Sequence, residues 1–437
     1  MFGEVFEIGS VLSQESWGTS RSIGEIFTRC FSRKYIAVFF LACWSIAMLS
    51  AADQSVSELR FVAWKYHLVG QEDYYRDLVQ AFERAHPGDR IDVELDDWDL
   101  AHDKILHWIA EGEGPDLTIV PDVWLAEFAP GLDSYPDRLP AGFLNNFNPI
   151  VLERSRSYGK IQGLVWAAST KALFYRTDLF DRARTSPPSN WQELLAAAEK
   201  LNRPPAICGL AIPGAPQLDT ADNFYFFLWS NGGQLFTPDG RPSVNTAEAV
   251  ESLTFLRDLV RKYQVTEPDT LGCDRPCAEE LFAHGKAAMV ETGPWMIRTI
   301  AAQAHPVPFS VVALPRQKES VTQLVTDHLV LLRSSQRKAE ALRFIEFAYQ
   351  SSWRLRWARL GMVPELKEVE KDKFFTDDPG WSVFISQLDH ARWVPLMKWE
   401  PIDRAIRNTL EEVLAGRVEP SEALDSLSRQ IQNLPAK

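Results

Sequence analysis

Lys160 to Asp181 reads KIQGLVWAASTKALFYRTDLFD: two runs of leucine, β-branched and aromatic residues, Leu164-Val165-Trp166 and Leu173-Phe174-Tyr175, parted by the small and polar Ala167-Ala168-Ser169-Thr170. Such runs suit buried strands. A small polar centre between them suits a segment that passes from one α/β unit into another with its polar groups turned to a ligand. The stretch therefore predicts a hinge crossing between two domains. Length agrees, because 437 residues, 46% of them hydrophobic, exceed what one core usually holds.

Upstream, Leu59–Trp64 has the composition of a first strand. A helix follows over 73–86 with Tyr75, Leu78, Val79 and Phe82 on one face, stopped by Pro87-Gly88. A strand over 91–95, a helix over 100–110 with Ile105, Leu106 and Ile109 inward, and a short buried strand within Gly112–Pro121 complete a parallel α/β order. Downstream, Pro187-Pro188-Ser189-Asn190-Trp191 leads into a helix to Leu201 capped by Ser189 or Asn190. The aromatic run Phe224–Trp229 is read as a helix ended by Asn231-Gly232-Gly233, with Tyr225 toward the mouth of a cleft. A further helix covers 245–263.

The most specific stretch is Ala278–Trp295, AEELFAHGKAAMVETGPW: a helix, a glycine stop, a short strand and a new helix from Pro294 or Trp295. Together with Trp64 at the end of the first strand, Gly114-Pro115-Asp116 before the third, the crossing and the Pro-Trp-helix signature at 187–201, it resembles the bacterial extracellular solute-binding proteins, sugar-binding class, which includes maltose-binding protein. The likeness runs from Leu59 nearly to the end. It takes in Phe309–Pro315 as the strand returning to the first lobe, Gly361–Pro364 as the third crossing, and tail helices over 403–415 and 421–431. It implies an α/β fold of two lobes closing like a flytrap, type II, with three hinge crossings: a leader over 1–52, lobe 1 over 53–166 plus 312–355, and lobe 2 over 167–311 plus 356–437. It also implies a receptor that binds a mono- or oligosaccharide or polyol and delivers it to the membrane permease and ATPase of an ABC importer. An aromatic at the Trp295 position stacks on sugar in such proteins. Thr326-Asp327-His328 stands where the family often has glycines, so a carboxylate and an imidazole are expected in the cleft.

Binding sugar without chemistry calls for flat aromatic faces and for Asp, Lys and hydroxyl groups at the junction of the lobes. The expected ligand set is Trp64, Asp122, Thr170, Lys171, Tyr225, Trp295, Asp327 and Trp399, with Trp166 and Trp393 in reserve. Most of the fifteen tryptophans serve the core. No catalytic residue, metal site or cofactor is expected: GxSxG, HExxH, GxxxxGK[ST] and GxGxxG are all missing. A secreted glycosidase built on Asp96, Asp97 and Asp99 is the alternative, although acids so close in sequence usually form a solvated loop. Iron binding through Tyr74-Tyr75 is disfavoured, since one of the two rings should face the core. The balance of 46 basic and 59 acidic residues, net −13, argues against nucleic acid and acidic membrane partners.

Arg29, Arg33 and Lys34 precede the uncharged Tyr35–Met48 and then Ser50-Ala51-Ala52, the form of an export signal cleaved before Asp53. A periplasmic or extracellular monomer is expected, with an uncleaved N-terminal anchor or a lipid on Cys43 as the alternatives. Of five cysteines, Cys208, Cys273 and Cys277 remain after cleavage. In an oxidising compartment Cys273 and Cys277 are close enough to bridge.

Overall fold

The computed structural model describes residues 57–434 except Tyr158, Leu218 and 396–398. The leader, its cleavage site and the anchor alternatives lie outside the described residues. Among the described residues thirteen strands run in chain order: β1 Ser57–Trp64, β2 Asp89–Asp96, β3 Leu117–Pro121, β4 Leu132–Asp133, β5 Arg156–Ser157, β6 Lys160–Ile161, β7 Leu164–Ser169, β8 Ala172–Arg176, β9 Met289–Thr292, β10 Phe309–Val312, β11 Thr322–Gln323, β12 Val325–Leu332 and β13 Ala391–Arg392. No helix among the described residues is long and apolar enough to cross a membrane.

The first sheet has the order β2-β1-β3-β12-β4, with β7 also paired to β12. β1 and β3 are parallel, as strand-helix-strand units require, but β12 runs antiparallel to β3, β4 and β7. The sheet is therefore mixed, for a connectivity reason. The chain comes back from the second sheet at the carboxyl end of the parallel strands, so the returning strand must run the other way. That strand is β12. Phe309–Val312, expected in this role, is instead the edge strand β10 of a second, three-stranded antiparallel sheet of order β10-β8-β9.

Three apolar clusters follow from this layout. One gathers Phe61, Trp64, Trp166, Leu329, Phe344 and Trp357 around the first sheet. The second gathers Leu173, Trp191, Phe227, Leu253, Trp399 and Leu424. The third sits at the crossings and holds Ala168 of β7, Phe174 of β8, Val290, Leu324, Val363 and Phe384. Residues 356–381, expected in the second lobe, pack in the first cluster through Trp357, Met362, Leu366, Phe375 and Trp381. The chain then passes by Phe384 and Leu388 of the third cluster to Val394 of the second. The final crossing thus lies beyond Trp381. Gly361–Pro364 touches the hinge from the first lobe, with Val363 N donating to Ala168 O at 2.8 Å.

Helix bounds lie within a few residues of those expected, and two expected faces are corrected. Leu106 is exposed, because a helix over Ala101–Glu111 that buries Ile105 turns its next residue about 100° away. Tyr74 and Tyr75 are both buried rather than one of them, since helix Gln71–Ala85 is covered by the sheet on one side and by Trp353 and Trp357 on the other.

Candidate functional site

Where β7 gives way to β8, the backbone is pinned by a single hydroxyl. Thr322 Oγ1 accepts from Lys171 N and donates to Lys171 O, both at 2.8 Å, tying the outgoing crossing to the returning one. Thr170, fully buried, donates to Phe384 O at 2.8 Å. This anchoring fixes the base of the Lys171 side chain, whose Nζ lies 3.4 Å from Asp222 Oδ2 and 5.1 Å from the centre of the Trp295 ring. Asp222 opens helix Asp222–Ser230, where unpaired amide groups favour a negative charge.

Trp295 opens helix Trp295–Ala301 directly after β9 and the turn Gly293-Pro294. Its ring lies across Gly293, where a Cβ would stand 2.1 Å from the ring carbons; its backbone lies under Gly361, where a Cβ would come within 2.4 Å of the Trp295 Cα. Any side chain at either glycine would displace Trp295. The indole Nε1 donates to Glu279 Oε1 at 2.8 Å, and the Arg275 guanidinium sits 5.2 Å from the ring centre. Arg275 also donates to Glu279 at 2.9 Å and to Asp219 Oδ2 at 3.0 Å. Asp219 adopts a left-handed backbone, φ 72°, which Asp tolerates better than most residues. Arg275 itself lies inside the loop closed by the Cys273–Cys277 disulfide, Cα–Cα 5.3 Å, while Cys208 is free and buried.

The first sheet contributes Asp327 from β12, with Tyr66 beside it. The Tyr66 hydroxyl is buried without a hydrogen-bond partner. Burial raises Asp327 to about 7, and the nearby charges of Asp122 and Asp219 add to the rise. Burial likewise raises Glu291 of β9 to about 7, and raises Asp222 to about 6 against the pull of Lys171. Burial would raise Asp219 too, but Arg275 and Lys171 hold it below the usual carboxylate value.

Residues 69–354 match the model of the bacterial extracellular solute-binding proteins. The chain belongs to that family. A protein of Brucella abortus named only as a binding protein is 29% identical over 405 residues, covering 90% of this chain and 96% of the relative. Maltose-bound MalE3 of T. maritima superposes with a TM-score of 0.81 at 21% identity, over 87% of this chain and 100% of that one. A Thermotoga lettingae solute-binding protein bound with α-D-tagatose gives 0.79 at 24%, over 86% and 98%. These structures share the type II two-lobe fold.

In this solute-binding protein, two of the eight expected ligand residues, Lys171 and Trp295, come together at the crossing, while Asp327 stands on β12 near Tyr66 and Asp122. Asp122 lies one layer behind, salt-bridged to Arg154 at 2.7 Å and accepting from Thr326 Oγ1 at 3.2 Å. The others are engaged by partners within the protein. Trp64 is fully buried and donates to Ile119 O at 2.7 Å. Tyr225 does not face the mouth: its hydroxyl bonds Asp403 at 3.2 Å and its ring stacks on Trp229. Trp399 packs on Tyr225 and Phe236, and Trp166 is fully buried. His328 does not enter the cleft. Successive strand residues face opposite ways, so Asp327 at the cleft turns His328 into the core, where burial lowers it to about 3 and keeps it neutral. Asp96, the last residue of β2, and Asp97 after it are held by Lys104 and Lys65.

Asp219, Asp222, Arg275, Glu279, Glu291 and Gln323 were not foreseen. Asp222 had a signal, an acid opening an aromatic helix; Arg275 had another, a cation bracketed by two cysteines. A separate cavity of about 310 Å³ is lined by Trp229, Phe236, Glu319, Arg392 and Trp393 among others, and shares no residue with the charged cluster. Trp393 is 38% exposed, with the Arg154 guanidinium 5.1 Å from its ring centre. The cluster is the better candidate for the site, because it lies where the chain crosses between the two sheets. Among the described residues no group of His, Cys, Asp and Glu is arranged to hold a metal ion.

Proposed function

We propose that this protein is an extracytoplasmic receptor for a small carbohydrate or polyol, which it delivers to the permease of an ABC importer without chemical change. The observation that carries the reading is the convergence of Lys171, Asp222 and Trp295 at a point where the chain crosses between the sheets and where Trp295 packs against Gly361 of the first lobe. A ligand that touches both sides favours the closed arrangement by its differential contact, and the permease reads the closed shape. Maltose and tagatose in the solved relatives support the ligand class, and family membership supports a binding protein rather than an enzyme.

A thermal-shift screen of mono- and oligosaccharides and polyols tests this. A ligand at 100 times its dissociation constant should stabilise by about 2.7 kcal/mol. The shift should vanish in Lys171→Met, and the radius of gyration should contract on binding. Saturable binding with no contraction, or release of hydrolysed sugar, would overturn the reading.

A further inference from the structure

The return crossing is held from three directions. β11 pairs in parallel with β13 of the last crossing, Thr322 opposite Ala391 and Gln323 opposite Arg392, and Leu324 N donates to Arg392 O at 2.9 Å. Thr322 Oγ1 binds both backbone groups of Lys171 on the first crossing, each at 2.8 Å. Lys318 N and Glu319 N donate to Ser230 O at 2.7 and 2.9 Å, which ties the approach to β11 to the last residue of helix Asp222–Ser230.

These ties place Gln323. The nine residues of that helix span about 12 Å at 1.5 Å per residue. The chain from Glu319 to Gln323 reaches as far, about 13 Å when extended. β11 packs on the helix, so Gln323 comes to its opening turn, beside the Lys171–Asp222 pair whose backbone Thr322 anchors. There its side-chain amide acts on the Asp222 carboxyl, against the rise that burial causes.

Two acceptors at this place are unmet. Asp222 and Gln323 are each 8% exposed, yet Asp222 Oδ2 and Gln323 Oε1 accept no hydrogen bond. Lys171 Nζ lies 3.4 Å from Asp222 Oδ2 and meets it as a charge, outside hydrogen-bonding geometry. Buried acceptors are nearly always matched by a donor, and an unmatched one is unfavourable, so a firmly held strand that presents one is built to be met from outside the chain. A sugar hydroxyl is such a donor, with one O–H and no charge.

We propose that Gln323 is a ligand-binding residue, its Oε1 accepting a hydrogen bond from one hydroxyl of the bound carbohydrate or polyol while Asp222 Oδ2 accepts from another. This role rests on the carbohydrate-receptor reading and adds to it a specificity-determining residue on the return crossing.

Calorimetric titration of wild type and Gln323→Met decides it, with the saccharides and polyols of the screen, D-glucose, maltose, D-tagatose and ribitol among them, and with monodeoxy forms of each that binds. Methionine keeps the length of the side chain and removes the acceptor. A compound that binds wild type should bind Gln323→Met at least tenfold more weakly, with the ligand-free melting temperature unchanged or higher. One of its deoxy forms should lose at least tenfold in wild type and nothing further in Gln323→Met, because the same hydrogen bond is then removed from either end. Undiminished affinity in Gln323→Met overturns the inference and leaves the receptor reading standing. So does a weakened variant in which every deoxy form loses as much as it does in wild type, since the loss then came through the fold and not through a hydroxyl. A wild type silent toward the whole panel overturns the receptor reading, and the role of Gln323 falls with it.

Discussion

Replacing Asp327 with Asn should stabilise the ligand-free protein at alkaline pH, and the size of the effect follows from where the carboxyl sits. Burial raises it from 3.8 to about 7. At 1.36 kcal/mol per unit this is a ceiling of about 4 kcal/mol, and relaxation in a cleft that is partly open brings the expected value to about 2 kcal/mol. Below about pH 3 the carboxyl is protonated in both the folded and unfolded states and costs nothing. Between pH 4 and 7 the unfolded chain ionises first, so stability falls as pH rises. Above 7 the full penalty applies. Asn does not titrate, so urea unfolding curves of wild type and Asp327→Asn should coincide near about pH 3, separate through pH 7 and then stay parallel, with the variant the more stable at pH 8. A variant equally stable or less stable at pH 8 would refute the reasoning, because it would mean that the ionised Asp327 is already satisfied inside the protein.

Trp295→Ala should lose about 1–3 kcal/mol of ligand affinity, while the ligand-free melting temperature falls by less than the 3–5 kcal/mol of a fully buried Trp would imply, since the ring is partly exposed. Replacing Cys273 and Cys277 together with Ser should free the Arg275 loop and weaken binding by about 0.5–1.5 kcal/mol, measured by titration; of the three cysteines from Asp53 onward, one thiol should react in the denatured, unreduced wild type. Arg354→Met should cost about 3–5 kcal/mol in urea unfolding by leaving Glu365 charged and buried, and the double change Arg354→Met, Glu365→Leu should recover most of it.

The architecture was legible where local pattern and long-range packing agree. The run around Thr170 is a crossing, and the stretch from Ala278 to Trp295 folds as helix, strand and helix. Trp295 was legible because a Gly-Pro turn before a helix start leaves its ring at a lobe junction. What escaped was decided by tertiary partners. Tyr225 and Trp399 look like sugar platforms in sequence, but they pack against each other on the second core. Residues 356–381 contain a plausible crossing at Gly361, yet Phe375 and Trp381 bind the segment to the first core. Arg275, Glu279 and Asp219 acquire meaning only when the disulfide loop, a helix and a left-handed turn bring them together, and no spacing rule connects them.

The most direct test of a carbohydrate receptor that works without catalysis is calorimetric titration of the responding sugar into wild type and into Lys171→Met, followed by recovery of the sugar. The account predicts one site per chain in the wild type, a binding isotherm lost in the variant, and a sugar recovered intact. A hydrolysed product, or undiminished binding to Lys171→Met, would contradict it.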